Sequence, residues 1–226
     1  LLPDEGTASI EGWDIVKDYK EIRKHVGYMP GRFSLYQDLT VEENLTFFAT
    51  VFGTTIAENY DLIKDIYEQI KPFSNRRAGK LSGGMKQKLA LCCALIHKPK
   101  VLLLDEPTTG VDVVSRKEFW EMLKKLKAQG ISILVSTPYM DEASLCDRIA
   151  LIQSGKVLST STPEQIIAQY PTALYAVKAP NLYALLQHLR EHPNIDSCYP
   201  FGEYLHITLK ENTNIPIFEQ QLKTTF

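Results

Sequence analysis

Ser82-Gly83-Gly84 stands directly before a helical pattern in which Leu89, Cys92, Cys93 and Ile96 fall at i, i+3, i+4 and i+7. A glycine turn feeding a helix N-terminus lets backbone N–H groups approach a ligand closely. The first helical turn also leaves donors unpaired at a positive dipole end, so the place suits a phosphate, and Ser82 adds a hydroxyl. Shortly after, the apolar run Val101 to Leu104 reads as a short parallel strand buried on both faces, and it ends in Asp105-Glu106-Pro107. Two carboxylates thus sit at a strand's carboxyl end, where α/β sheets hold their chemistry. Asp105 could hold Mg²⁺ directly or through water, and Glu106 could take a proton from an attacking water.

The stretch from Leu81 to Asp112 resembles the ATP-binding cassette (ABC) ATPase family. Leu81, Ser82, Gly83 and Gly84 match its LSGG signature, with Met85 where Gln is commoner; residues 101–106 match the Walker B run and catalytic Glu, and Gly110, Val111 and Asp112 match the D-loop. Either motif alone is weak; their order and spacing together carry the resemblance. It implies an α/β fold: a partial ABC ATPase core of the P-loop NTPase kind over residues 1–165, with a helical subdomain at about 41–97. A small α+β unit over 172–226 would follow. It also implies ATP and Mg²⁺ as cofactors, with Glu106 catalytic, Asp105 on the metal, and Ser82, Gly83 and Gly84 lent in trans to a nucleotide held by an opposite domain.

Elsewhere the chain departs from the family. GxxxxGK followed by Ser or Thr occurs nowhere, and the chain opens on Leu1-Leu2-Pro3. The resemblance places this start just after the Walker A helix, an arrangement that leaves sheet edges and apolar faces uncovered. In the Gly27–Tyr36 tract, Gly31 occupies the position of the Q-loop Gln. Pro138 occupies that of the switch His, ahead of Tyr139-Met140-Asp141-Glu142-Ala143. Neither offers a side-chain donor, so the chain's own site is expected to be degenerate.

The elements that must position these residues follow from periodicity. A strand is expected over 8–15 with its turn at Gly12, a helix over 18–25 and a strand over 27–30. Helices over 41–52 and 57–70 come next, the first opened by a Thr40/Glu43 capping-box pattern, with Phe47, Phe48 and Tyr67 read as core. A helix marked by Phe119, Met122, Leu123 and Leu126 ends at Gly130, and a strand follows at 131–137. Strands at 148–153 and 156–159 turn at Ser154-Gly155, and 163–169 is a short helix, with a boundary at Pro171. The tail reads as strand 173–178, a helix with Leu182, Leu185, Leu186 and Leu189 inward, a hairpin of 195–199 and 204–209 about Phe201-Gly202, and a helix from Ile217. This β-α-β-β order is half of a ferredoxin-like repeat.

Composition bounds the function. The 226 residues carry 25 basic and 27 acidic side chains, a net charge of −2, so no basic footprint points to nucleic acid. The four cysteines show no zinc spacing and read as reduced thiols of a cytosolic protein. No apolar run is long enough to span a bilayer. His188 and His192, at i, i+4 without a third ligand, read as a solvated surface pair rather than a zinc site. The resemblance therefore implies an ATP-binding subunit of a drug or antibiotic exporter of the ABC-2 type. Its partners would be a transmembrane permease and a second ABC domain, and it would lie in the cytoplasm against the inner face of the membrane. A nucleotide-dependent clamp without useful hydrolysis is the alternative; an ABC ATPase acting on DNA or ribosomes fits the charge less well.

Overall fold

The computed structural model of the chain describes residues 2–31, 35–169 and 172–226; Leu1, the 32–34 part of the Gly27–Tyr36 tract and the boundary at Pro171 lie outside the described residues. It divides into two compact units, Leu1–Leu145 and Cys146–Phe226.

The first unit opens with β1 (Ser9–Ile10) and β2 (Trp13–Asp14), an antiparallel pair turned at Glu11 and Gly12. The expected single strand is thus folded in two at Gly12. Then come α1 (Tyr19–His25) and β3 (Val26–Met29). Next stand α2 (Val41–Val51) and α3 (Tyr60–Ile70), the latter beginning three residues later than its apolar period suggests. The capping box is present: Glu43 N–H donates to Thr40 Oγ1 at 3.2 Å, and Thr40 N–H donates to Glu43 Oε2 at 2.7 Å. Two 3-10 turns, Lys71–Phe73 and Ala78–Lys80, lead to α4 (Gly83–Leu95). The unit ends with β4 (Val101–Asp105), α5 (Val113–Ala128), β5 (Ser132–Ser136) and the short α6 (Met140–Ala143).

β3, β4 and β5 form a parallel sheet in that order, with β4 central. Met29, Leu102 and Leu104 are buried on one face. A Cβ at Gly27 would fall 2.3 Å from the Ala94 carbonyl oxygen, so only glycine lets α4 lie this close to β3. The other face is open, which corrects the expectation of a strand buried on both sides. Tyr28, Leu103 and Leu134 are in register; Leu103 is half-buried, while Tyr28 is 57% and Leu134 67% exposed.

Every residue of α4 from Leu89 to Leu95 is buried, and so is Ile96, because the helix is enclosed by α2, α3, α5 and β3. The sequence period marked only one apolar face of it. Burial pushes the adjacent thiols of Cys92 and Cys93 above the ordinary range. Tyr67 is core, as its position on α3 suggests, but Phe47 is 38% exposed and Phe48 half-buried. Both lean on the exposed Tyr36 in an aromatic cluster, with ring centroids 4.7 Å apart for Tyr36–Phe47 and 5.4 Å for Phe47–Phe48. Phe47 is thus a surface aromatic rather than core, and Phe48 stands at the boundary between the two.

The second unit begins with the hairpin β6 (Ile149–Gln153) and β7 (Lys156–Ser161), turned at Ser154-Gly155, and α7 (Pro163–Ala168). It continues through β8 (Leu174–Val177), α8 (Leu182–Glu191), β9 (Ile195–Phe201), β10 (Tyr204–Leu209) and α9 (Ile215–Thr225). The sheet order is β8-β10-β9, antiparallel throughout. Leu185, Leu189, Ile195, Cys198, Leu205, Ile207 and Phe218 make its core. The His188 ring packs against Phe226 at 5.5 Å and the His192 ring against Phe218 at 5.1 Å, so the pair is seated on aromatic rings rather than merely solvated. Among the described residues no helix is long and apolar enough to cross a membrane.

Candidate functional site

Asp105 and Glu106 sit where the parallel sheet ends, and the neighbouring strand holds them there. Asp105 pairs in register with Ser136, whose Oγ–H donates to Asp105 Oδ1 at 2.5 Å. Glu106 N–H donates to both the Ser136 carbonyl and Ser136 Oγ, each at 3.0 Å. Glu106 itself has φ 44°, the left-handed region that a side chain with a Cβ rarely adopts. Its carboxylate oxygen Oε2 accepts Thr109 Oγ1–H at 3.0 Å, so the side chain is steadied by its own turn. Such a conformation costs about 1–3 kcal/mol and persists where surroundings fix it.

Gly31 is brought against this strand end. A Cβ there would lie 3.1 Å from the Asp105 carbonyl oxygen and 3.4 Å from Asp105 Oδ2, so the backbone of the 31 position stands where a larger residue would press on the acid. Pro138 follows Ser136 by two residues and is exposed.

Ser82, Gly83 and Gly84 form a second grouping with the turn that follows Glu106. Ser82 caps α4, its Oγ accepting Met85 N–H at 3.3 Å, while its carbonyl accepts Lys86 N–H at 2.9 Å. The N–H groups of Gly83 and Gly84 have no intrahelical partner at this end. A Cβ at Gly84 would meet Ser115 Oγ at 2.6 Å and Ser115 Cβ at 2.8 Å, and Gly83 faces the Gly110 carbonyl oxygen. The helix entries of α4 and α5 are therefore in contact. Asp112 caps α5, its Oδ1 accepting Ser115 N–H at 2.9 Å, and this backbone donor holds its carboxyl below the usual range.

The chemistry of these groups decides what they can hold. Asp105 offers hard carboxylate oxygen, suited to Mg²⁺, which takes one or two carboxylates and fills its shell with water and phosphate oxygens. The α4 entry offers backbone donors and a hydroxyl, suited to a phosphate. Ser136, Thr108, Thr109 and Arg116 were not singled out by sequence, and Glu142 was named only within the 139–143 tract, without a role. Ser136 could have been found by pairing the two expected strands, which sets it opposite Asp105; nothing local points to the contacts of the others.

Residues 1–109 match the family model described as ABC transporter. The ABC transporter ATP-binding protein NatA of Bacillus subtilis (strain 168) is 36% identical over 170 residues, covering 74% of this chain and 69% of NatA. The chain belongs to the ABC transporter ATP-binding family. The probable multidrug ABC transporter ATP-binding protein YbhF of Escherichia coli (strain K12) is 39% identical over 215 residues, 93% of this chain and 37% of YbhF. The Nod factor export ATP-binding protein I of Burkholderia lata is 39% identical over 168 residues, 73% of this chain and 55% of that protein. The chain thus spans 37% and 55% of the lengths of these last two relatives. A solved ATP-binding subunit of an ABC transporter superposes with a TM-score of 0.66 at 29% identity, over 74% of this chain and 71% of that one. The fold is α/β and matches that of the ABC ATPases.

Proposed function

We propose that this chain is the ATP-binding part of an ABC exporter, of the drug or antibiotic efflux kind, and that it couples ATP binding and hydrolysis to a separate membrane subunit. The observation that carries this reading is the pair Asp105 and Glu106, fixed at the ends of parallel strands by Ser136. Membership of the family and the export relatives support it. By motif the ABC ATPase part would span about residues 1–165, so its last hairpin and α7 fall in the second compact unit, and residues 172–226 would form an α+β domain of their own.

In this reading Asp105 would hold Mg²⁺, directly or through water, and Glu106 receives the proton of the attacking water. When bound, Mg²⁺ would offset phosphate charge. Ser136 orients Asp105 through Oδ1 and keeps Glu106 N–H occupied, so neither acid must reorganise during reaction. Ser82, Gly83 and Gly84 serve an opposite domain: hydroxyl and amides donate to phosphate oxygens presented from outside α4. Asp112, capping α5 beside that entry, fixes the angle at which the turn is offered. A second ABC domain, on the same polypeptide or in a homodimer, is the required partner. The exposed Tyr36–Phe47 pair, backed by the half-buried Phe48, suits an apolar contact with a permease, which would hold the chain on the inner face of the membrane.

Steady-state Mg-ATP turnover of the protein in its natural coding context tests this. Glu106→Gln should lower kcat by about 10² to 10⁴, and Ser82→Arg should abolish hydrolysis at the site served in trans. Undiminished turnover in Ser82→Arg would remove the trans role. Gly31 and Pro138, which lack side-chain donors, favour a second reading, a nucleotide-dependent clamp. In a clamp Glu106→Gln changes nothing, and nucleotide still drives association.

A further inference from the structure

Glu142 is the only buried carboxylate among the described residues, with 1% of its surface exposed. Removing an ionised carboxylate from water costs several kcal/mol unless partners satisfy it. Here both oxygens are engaged: Thr108 Oγ1–H donates to Oε1 at 2.5 Å and Thr137 Oγ1–H donates to Oε2 at 2.6 Å. Arg116, from α5, brings its Nε within 3.6 Å of Oε1, and its guanidinium lies 4.3 Å from the centre of the Tyr139 ring.

The partners come from two different turns. Thr108 lies between Glu106 and Asp112, in a turn closed by Thr109 N–H to the Glu106 carbonyl at 3.2 Å and Val111 N–H to the Thr108 carbonyl at 3.1 Å. Thr137 directly precedes Pro138, and its Oγ1 also accepts Tyr139 N–H at 3.1 Å. One carboxylate therefore clamps the turn after β4 to the turn after β5. Gly31 and Pro138 supply no side-chain donor at the positions flanking this junction.

We propose that Glu142 is a positioning residue: by holding Thr108 and Thr137 together it sets the orientation of Glu106 and Asp112, and it ties their movement to that of the 137–139 segment. Its effect on turnover rests on the ATPase reading above; its effect on the two turns does not. A residue that only filled space would be replaced without local consequence by the isosteric amide. Glutamine, however, offers one acceptor oxygen to two hydroxyl donors and no charge to Arg116.

The test compares Glu142→Gln, Thr108→Val and Thr108→Ser with the unaltered protein, by amide hydrogen exchange and by Mg-ATP kinetics. Exchange at Thr109, Val111 and Tyr139 should quicken about tenfold in Glu142→Gln, while amides within α4 and β4 keep their rates. Thr108→Val should reproduce this at Thr109 and Val111, and Thr108→Ser, which keeps the hydroxyl, should not. Where ATP is hydrolysed, kcat should fall with KM unchanged. Exchange that stays at the unaltered rate in the two turns, or that rises equally in α4 and β4, overturns the proposal. Should Glu142→Gln fail to fold, the Thr108 pair decides alone. Absence of turnover in the unaltered protein would strike the ATPase reading while leaving the exchange result to judge Glu142.

Discussion

Glu106 carries a local conflict between backbone and side chain. Its φ of 44° places a Cβ-bearing residue where glycine rests more easily, and the two contacts from its N–H to Ser136 keep it there. Glu106→Gly should therefore raise the thermal midpoint, because the strain of about 1–3 kcal/mol is relieved, offset in part by greater unfolded-state freedom. Glu106→Gln keeps the strain and should leave the midpoint near that of the unaltered protein. Differential scanning calorimetry of the two variants separates conformation from charge; equal shifts would mean that the strain is not felt. Asp105 and Glu106 were legible in the sequence because an apolar run ending in two acids is a local pattern. Glu142 was legible only as part of a family tract, since its partners Thr108 and Thr137 lie 34 and 5 residues away and meet through strand pairing. The tightness at Gly31 was likewise hidden, because it depends on how close β3 runs to β4.

The elements were legible where a period or a cap governs them. The Thr40–Glu43 box opens α2 as its spacing requires, and the antiparallel tail has its hairpin at the expected Gly202. Legibility failed where tertiary surroundings decide. The sequence gives α4 a single apolar face, but neighbours on every side bury Ala90, Leu91 and Ala94 as well. Phe47 was read inward because aromatics are usually core, yet its side of α2 meets Tyr36 at the surface. The α4–α5 contact at Gly84 makes a stability prediction of its own. Gly84→Ala puts a methyl into the space held by Ser115, and overpacking of this kind costs about 1–3 kcal/mol. Ser115→Gly, in the Gly84→Ala background, should recover part of that loss, giving a favourable coupling energy in a double-mutant cycle read by urea unfolding. Additive losses would show that α5 moves aside freely.

At the scale of the whole molecule, the two units have separate cores. That of the second unit is built around Leu205, Ile207 and Leu189, and none of its members belongs to the first unit. Leu205→Ala should remove about 2–5 kcal/mol from that unit, and denaturant unfolding should then resolve two transitions, of which only one has moved. A single shifted transition would mean that the units unfold as one. The open sheet face bearing Tyr28, Leu103 and Leu134 could not be read from periodicity, because an all-apolar strand looks the same whether one face or both are covered. The placement of the cysteines has a practical consequence. Cys92, Cys93 and Cys198 are buried, while Cys146, the first residue of the second unit, is partly open to solvent. Attack by a thiol reagent on Cys92, Cys93 or Cys198 should therefore report the opening of the core that covers that residue.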